Sequence, residues 1–115
     1  MRYLALIYNE EPAEPEEMTP EMMAPWIAFG EEATKRGANP TGDALQPTST
    51  ATTVRIRDGQ TMTTDGPFAE TKEVLGGYYI LECPNLDAAV DLAAKIPVAQ
   101  YGSIEVRPIL EIPEG

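Results

Sequence analysis

One nine-residue run near the middle of the chain, Asp65-Gly66-Pro67-Phe68-Ala69-Glu70-Thr71-Lys72-Glu73, constrains the fold more than any other stretch. Asp-Gly-Pro interrupts regular structure, because Gly66 tolerates positive φ while Pro67 lacks an N–H and keeps its predecessor out of the helical region. Phe68 is the only large apolar side chain of the run, and it is expected to anchor the loop by burial. Behind it, Glu70, Thr71, Lys72 and Glu73 bring ionisable and hydroxyl groups into one small neighbourhood. Upstream, two strand-like segments, residues 52–57 and 60–64, flank Asp58-Gly59, a dipeptide suited to the positive φ angles of a tight hairpin turn. A hairpin is therefore expected to hold the run at a strand end, a rigid base for a functional loop.

The rest of the chain reads in order. Residues 2–8 are an apolar run expected to form a central strand, with Leu4, Leu6 and Tyr8 on one side and Tyr3, Ala5 and Ile7 on the other. Both sides are apolar, so one needs the subunit's own helices and the other a second cover. Residues 9–18 hold five glutamates and two prolines without a base, which predicts a solvated connection rather than a metal site. Thr19-Pro20 caps and starts a helix; Met22, Trp26, Phe29 and Ala33 fall at helical spacing, with Met23 and Ile27 beside them. Pro25 predicts a kink or a delayed start, and Lys35-Arg36-Gly37 a C-terminus. Residues 38–50 read as a surface loop.

Gly76-Gly77 predicts a bulge or a close backbone approach where a buried strand over residues 78–83 begins. Asn85 caps a second helix running through Ile96, with Leu86, Ala89, Val90, Ala93 and Ile96 as its apolar face. Residues 104–112 complete the set as a strand with Ile104, Val106, Leu110 and Ile112 on one face. The order is an α+β pattern, βαββαβ with one extra hairpin strand, giving a mostly antiparallel sheet with helices on one face. Residues 1–115 carry no internal repeat and read as a single domain.

Composition narrows the function. Nineteen acids against eight bases give a net charge of −11, which repels polyanions and argues against direct nucleic-acid binding. The apolar run at residues 3–8 is six residues long, too short for a membrane span or a secretory signal, so a cytoplasmic protein without membrane contact is expected. Cys83 is the only cysteine and sits in a strand-like run, where a buried, inert thiol is expected. There is no histidine, which removes the commonest general base and the commonest transition-metal ligand. No phosphate-cradling loop, zinc spacing or nucleotide fingerprint is present, so neither a cofactor nor a metal is expected.

Acid/base chemistry then falls to carboxylates and tyrosines. Asp65 and Glu73 are the candidate catalytic groups, with Lys72, Glu70, Tyr78 and Arg107 as candidate ligand contacts; Tyr8, Tyr79, Arg55 and Arg57 stand in reserve. Structural readings compete with these roles: Asp65 could fix its own turn by accepting downstream N–H groups, and Glu70, Lys72 and Glu73 could form a solvated ion-pair cluster.

Residues 65–73, continuing into Leu75-Gly76-Gly77-Tyr78-Tyr79, resemble the signature of the DGPF-motif branch of the YCII-related family. Residues 1–8, 51–55 and 102–108 resemble the family's first strand, the strand before the motif and the closing strand. The resemblance implies a ferredoxin-like subunit that pairs into a homodimeric α/β barrel. Proteins of this kind are often encoded beside extracytoplasmic-function sigma factors, which implies an accessory or regulatory role as the alternative to an enzyme. The His–Asp pair discussed as an active site in the broader family has no counterpart in a chain without histidine.

Overall fold

Strand β1 (Arg2–Glu10) runs through a four-stranded sheet in the computed structural model, which describes residues 1–14 and 16–113. The further elements are helix α1 (Pro20–Lys35), strands β2 (Thr41–Ala44), β3 (Thr52–Arg57), β4 (Gln60–Asp65) and β5 (Glu73–Glu82), helix α2 (Leu86–Ala93) and strand β6 (Ser103–Pro108). Short 3₁₀ turns at Thr48–Thr50 and Pro97–Gln100 connect them. The main sheet has the order β2-β5-β1-β6, every pair antiparallel, while β3 and β4 form a separate two-stranded ribbon. Among the described residues, no helix is long and apolar enough to cross a membrane.

Alternation along β1 decides where the core lies. Tyr3, Ala5 and Ile7 are buried beneath the helices together with Leu81, and Ile104 and Val106 pack against the same cluster. Helix α1 starts as its sequence predicts: Thr19 Oγ1 accepts from Met22 N at 3.2 Å and Pro20 takes the first turn. It ends at Gly37, whose φ of +79° is open to glycine at little cost. Pro25 lies inside the helix. The expected apolar stripe is only partly the core face. Phe29 and Ala33 are buried and Trp26 leans on Tyr79, whereas Met22, Met23 and Ile27 point to solvent.

Helix α2 is shorter than expected, ending at Ala93 instead of reaching Ile96. Asn85 caps it through Oδ1, accepting from Ala88 N at 2.9 Å. Its buried face is Ala89, Leu92 and Ala93, with Ile96 buried just beyond its end; Leu86 and Val90, expected to be buried, are exposed. Arg36 ties the helices together, donating to Glu32 at 2.8 Å and to Asp91 at 2.7 Å.

Three further expectations need correction. Residues 38–50 are not all loop: Thr41–Ala44 form the edge strand β2, paired with β5 from Thr41↔Ile80 to Ala44↔Gly77. Gly42 makes this possible, because a Cβ there would lie 2.0 Å from the Tyr78 carbonyl oxygen. The last strand stops at Pro108, which cannot donate to a ladder, and Leu110 and Ile112 lie exposed beyond it. The acidic connection starts later than expected, because β1 takes in Asn9 and Glu10; its described residues from Glu11 to Met18 are exposed, and the Glu11 carboxylate accepts from both the N–H and the hydroxyl of Thr48, at 2.9 and 2.8 Å. Pro15, also part of that connection, lies outside the described residues.

The glycine pair behaves as its sequence predicts. β1 and β5 slip register between Ile7 and Tyr8, where Ile7 faces Gly77 and Tyr8 faces Leu75, leaving Gly76 as the extra residue of a bulge. A Cβ on Gly77 would come within 3.0 Å of the Asp43 carbonyl oxygen, so the neighbouring backbone does approach closely. Leu81 has no exposed surface and is, with Leu92 and Ile96, among the largest fully buried side chains of the core. Truncating Leu81 to alanine is expected to lower unfolding stability by about 2–5 kcal/mol, through lost transfer energy and a cavity that neighbouring strands cannot close; urea denaturation monitored by circular dichroism measures it.

Candidate functional site

The sheet face turned away from the helices carries three of the six candidate site residues, Glu73, Tyr78 and Arg107. Antiparallel partners point the same way, so β1 places Leu4, Leu6 and Tyr8 here, beside Ile80, Tyr78 and Leu75 of β5 and Arg107, Glu105 and Ser103 of β6. β2 adds Thr41 and Asp43. The middle of the face is apolar and aromatic, and polar groups ring it. Among the described residues no helix lies on this side, and the molecule is only 19 Å thick, the depth of a sheet with one helical layer.

At one end of this face Glu73 opens β5 opposite Glu10, and Ser103 opens β6 opposite Tyr8. Ser103 Oγ donates to Glu73 Oε1 at 2.8 Å. Lys72 Nζ lies 3.3 Å from Glu10 Oε1, a solvated pair in which the lysine is 87% exposed. Thr71 donates its hydroxyl to the Glu73 carbonyl and so fixes the start of the strand. Across the sheet, Tyr78 donates to Asp43 Oδ2 at 2.9 Å. That hydrogen bond and the nearby negative charge raise the Tyr78 hydroxyl above the ordinary tyrosine range. At the opposite edge Arg107 donates to Glu105, two residues before it on β6.

The expected site residues are therefore divided. Glu73, Tyr78 and Arg107 share the bare face, and Lys72 lies at its Glu73 end. Asp65 does not join them: it ends β4 opposite Thr52, on the separate ribbon, with its carboxylate unpaired among the described residues. The turn after it is held by other groups, Gly66 N donating to the Ala51 carbonyl at 2.7 Å and Thr53 Oγ1 to the Gly66 carbonyl at 2.9 Å. Glu70 is exposed and likewise without a partner among the described residues. Phe68 is not the buried anchor its setting predicts. It is 78% exposed, with the Arg55 guanidinium stacked 5.3 Å from its ring centroid.

Sequence reasoning passed over Ser103 and Asp43. Ser103 was within reach of a period-2 argument, which places it on one face with Glu105 and Arg107. Asp43 had no such signal, since its strand has none of the β-branched character that marks one. Cys83 is buried, and burial pushes its thiol upward, away from the reactive thiolate. Two surface hollows, one along α1 around Ile27 and Thr34 and one between α2 and β6 around Val90 and Val106, contain none of the expected site residues. Among the described residues no three acidic or cysteine side chains gather into a metal-binding group.

What the arrangement offers is proton exchange and polar orientation at the rim of an apolar floor. The Glu73 carboxylate, already held by one hydroxyl, keeps further lone pairs for a ligand donor; the tyrosine hydroxyls and the Arg107 guanidinium add polar contacts.

Comparison with known proteins agrees along nearly the full length. The description "YCII-related domain" matches residues 1–113. An uncharacterized protein of Rhizobium meliloti (strain 1021) is 39% identical over 114 residues, covering 95% of this chain and 92% of that protein. On a match of this extent, the chain belongs to the YCII-related family.

Proposed function

We propose that the protein is a homodimer that binds a small organic ligand at the Glu73 end of its bare sheet face, with Glu73 as a metal-free proton acceptor. The observation that carries this reading is the Ser103–Glu73 hydrogen bond of 2.8 Å, which orients a carboxylate at the edge of an apolar, tyrosine-bearing surface. Lys72 supplies positive charge for an anionic ligand group there; Tyr78, whose hydroxyl proton is held by its bond to Asp43, and Arg107, opposite Leu4, stand farther along the same face. Glu73 is preferred to Asp65 as the proton acceptor, because Asp65 stands on the other sheet.

The homodimer rests on the half-buried apolar floor, Leu4, Leu6, Tyr8, Tyr78 and Ile80, on the sheet face opposite the core. The sheet order β2-β5-β1-β6 with two helices on one side supports a ferredoxin-like subunit, and pairing of two bare faces would form the dimeric barrel. The Asp65-Gly66-Pro67-Phe68 run supports placement in the DGPF branch of the family. A second reading, in which residues 65–73 clamp the dimer and the protein is a non-catalytic accessory factor, draws on the exposure of Phe68.

Sedimentation at micromolar concentration is expected to give a dimer burying on the order of 2,000 Å²; a well-folded monomer would refute the assembly. Glu73→Gln is expected to weaken binding of a co-purified ligand, identified by native mass spectrometry, by roughly 1.5–3 kcal/mol. Its stability should stay within about 1 kcal/mol of the parent, because a solvated carboxylate contributes little to folding. Equal losses of stability and binding would instead favour the clamp. The Tyr78–Asp43 bond has its own signature in pH. A raised tyrosine pKa means that its contribution to stability is fully present below the unfolded-state value of ~10 and is lost as pH rises through the folded-state value. NMR titration should find Tyr78 ionising above the ordinary range, and Asp43→Asn should bring it down.

A further inference from the structure

Helix α1 carries nine consecutive residues, Met22 to Gly30, without a charged side chain. In a chain that is 23% charged, such a run belongs to a helix covered on more than one side. The subunit covers only one. Trp26, Phe29 and Ala33 face the sheet, while Met23, Ala24, Ile27 and Ala28 are exposed, Ile27 to 55%. Because α1 lies on the core side of the sheet, pairing of two bare sheet faces leaves this surface on the outside.

Spacing and charge select the occupant. Glu21, Ala24, Ala28, Glu31 and Lys35 recur at intervals of three and four, so they form one seam along the helix, on the side away from Phe29 and Ala33. All five are exposed, and the two alanines leave room for a second helix to come close. The seam is complementary to itself when reversed. Glu21 stands seven residues before Ala28 and Lys35 seven after it. Two copies laid antiparallel about Ala28 therefore set each Glu21 against the other's Lys35, whereas a parallel pair would oppose like charges. These groups are free to do so: Arg36 is held by Glu32 and Asp91, but Glu21, Glu31 and Lys35 form no ion pair among the described residues.

Shape adds a second fit. Beside the seam lies the hollow of Ile27, Gly30, Thr34 and Pro40, open because nothing stands within 4 Å of the place a Gly30 side chain would take. In the antiparallel pair the exposed Met23 of the second copy comes level with this hollow. An anionic membrane, the other natural cover for an apolar helix, would repel a chain of net charge −11.

We infer that α1 is a self-association surface, on which α1 of a second copy packs antiparallel about Ala28 with a Glu21–Lys35 pair at each end. It goes beyond the ligand-binding reading and does not depend on the sheet-face dimer. One helix pair is a small interface, so the association is reversible and rises with protein concentration. Cysteine cross-linking tests the geometry, since Cys83 is buried and does not compete. Under mild oxidation Ala28→Cys should form a disulfide between copies and Ala24→Cys should not. Antiparallel pairing puts the two copies of position 24 about 12 Å apart along the axis, beyond the ~7 Å a disulfide spans. Cross-linking at both positions, or at neither, would overturn the inference. Sedimentation from micromolar to millimolar concentration tests the charges. Glu21→Lys and Lys35→Glu should each weaken association about tenfold, because each turns two attractive pairs repulsive, and the double variant should restore it. Failure of the double variant to recover would rule out this register. Binding to phosphatidylcholine vesicles without self-association would assign the face to lipid instead and overturn the pair.

Discussion

Everything in this molecule depends on covering one side of a sheet. Both helices lie on the face of Tyr3, Ala5, Ile7 and Leu81, where burial of apolar surface supplies most of the folding energy. The small residues Ala5, Ala33, Ala89 and Ala93 are all buried there, so helix and sheet can approach closely. The opposite face gains less from the subunit's own fold, its Leu4, Leu6, Tyr8, Tyr78 and Ile80 being only half-buried. Its aliphatic centre and polar rim follow from the same alternation that builds the core, read one residue out of step.

Close backbone approach sets the geometry of the candidate site. Gly42 lets β2 lie against β5, where any side chain would meet the Tyr78 carbonyl, and this pairing puts Asp43 beside the Tyr78 hydroxyl. Gly102 does the same before β6. A Cβ there would come within 2.3 Å of the Tyr8 carbonyl oxygen, and the next residue is Ser103, the donor to Glu73. The bulge at Gly76 changes the register just before Glu73 meets Glu10. Three glycines without functional groups of their own thus position the groups that have them.

Residues 65–73 are a junction between two sheets. Asp65 closes the ribbon, Glu73 opens the strand beside β1, and the turn between them is tied by backbone and threonine contacts at Ala51 and Thr53. Charged groups that are neighbours in sequence are consequently parted in space, and only the last of them reaches the face on which Tyr8 and Ser103 stand.

Much of the fold was legible in the sequence. The alternation of β1, the Thr19-Pro20 and Asn85 caps, Gly37, the Asp58-Gly59 turn and the Gly76-Gly77 bulge each act within a few residues, where local sterics and hydrogen bonding suffice. The absence of histidine likewise leaves carboxylates and tyrosines as the candidate proton-transfer groups. Tertiary structure alone decided the rest. Thr41–Ala44 is a strand only because β5 offers it a ladder, and Met22, Leu86 and Val90 are exposed because the helices present neighbouring residues to the sheet. Phe68 could not be placed from its sequence setting, since burial depends on what lies across from a side chain. The pairing of Ser103 with Glu73 spans 30 residues and three strands, a distance over which no local rule acts.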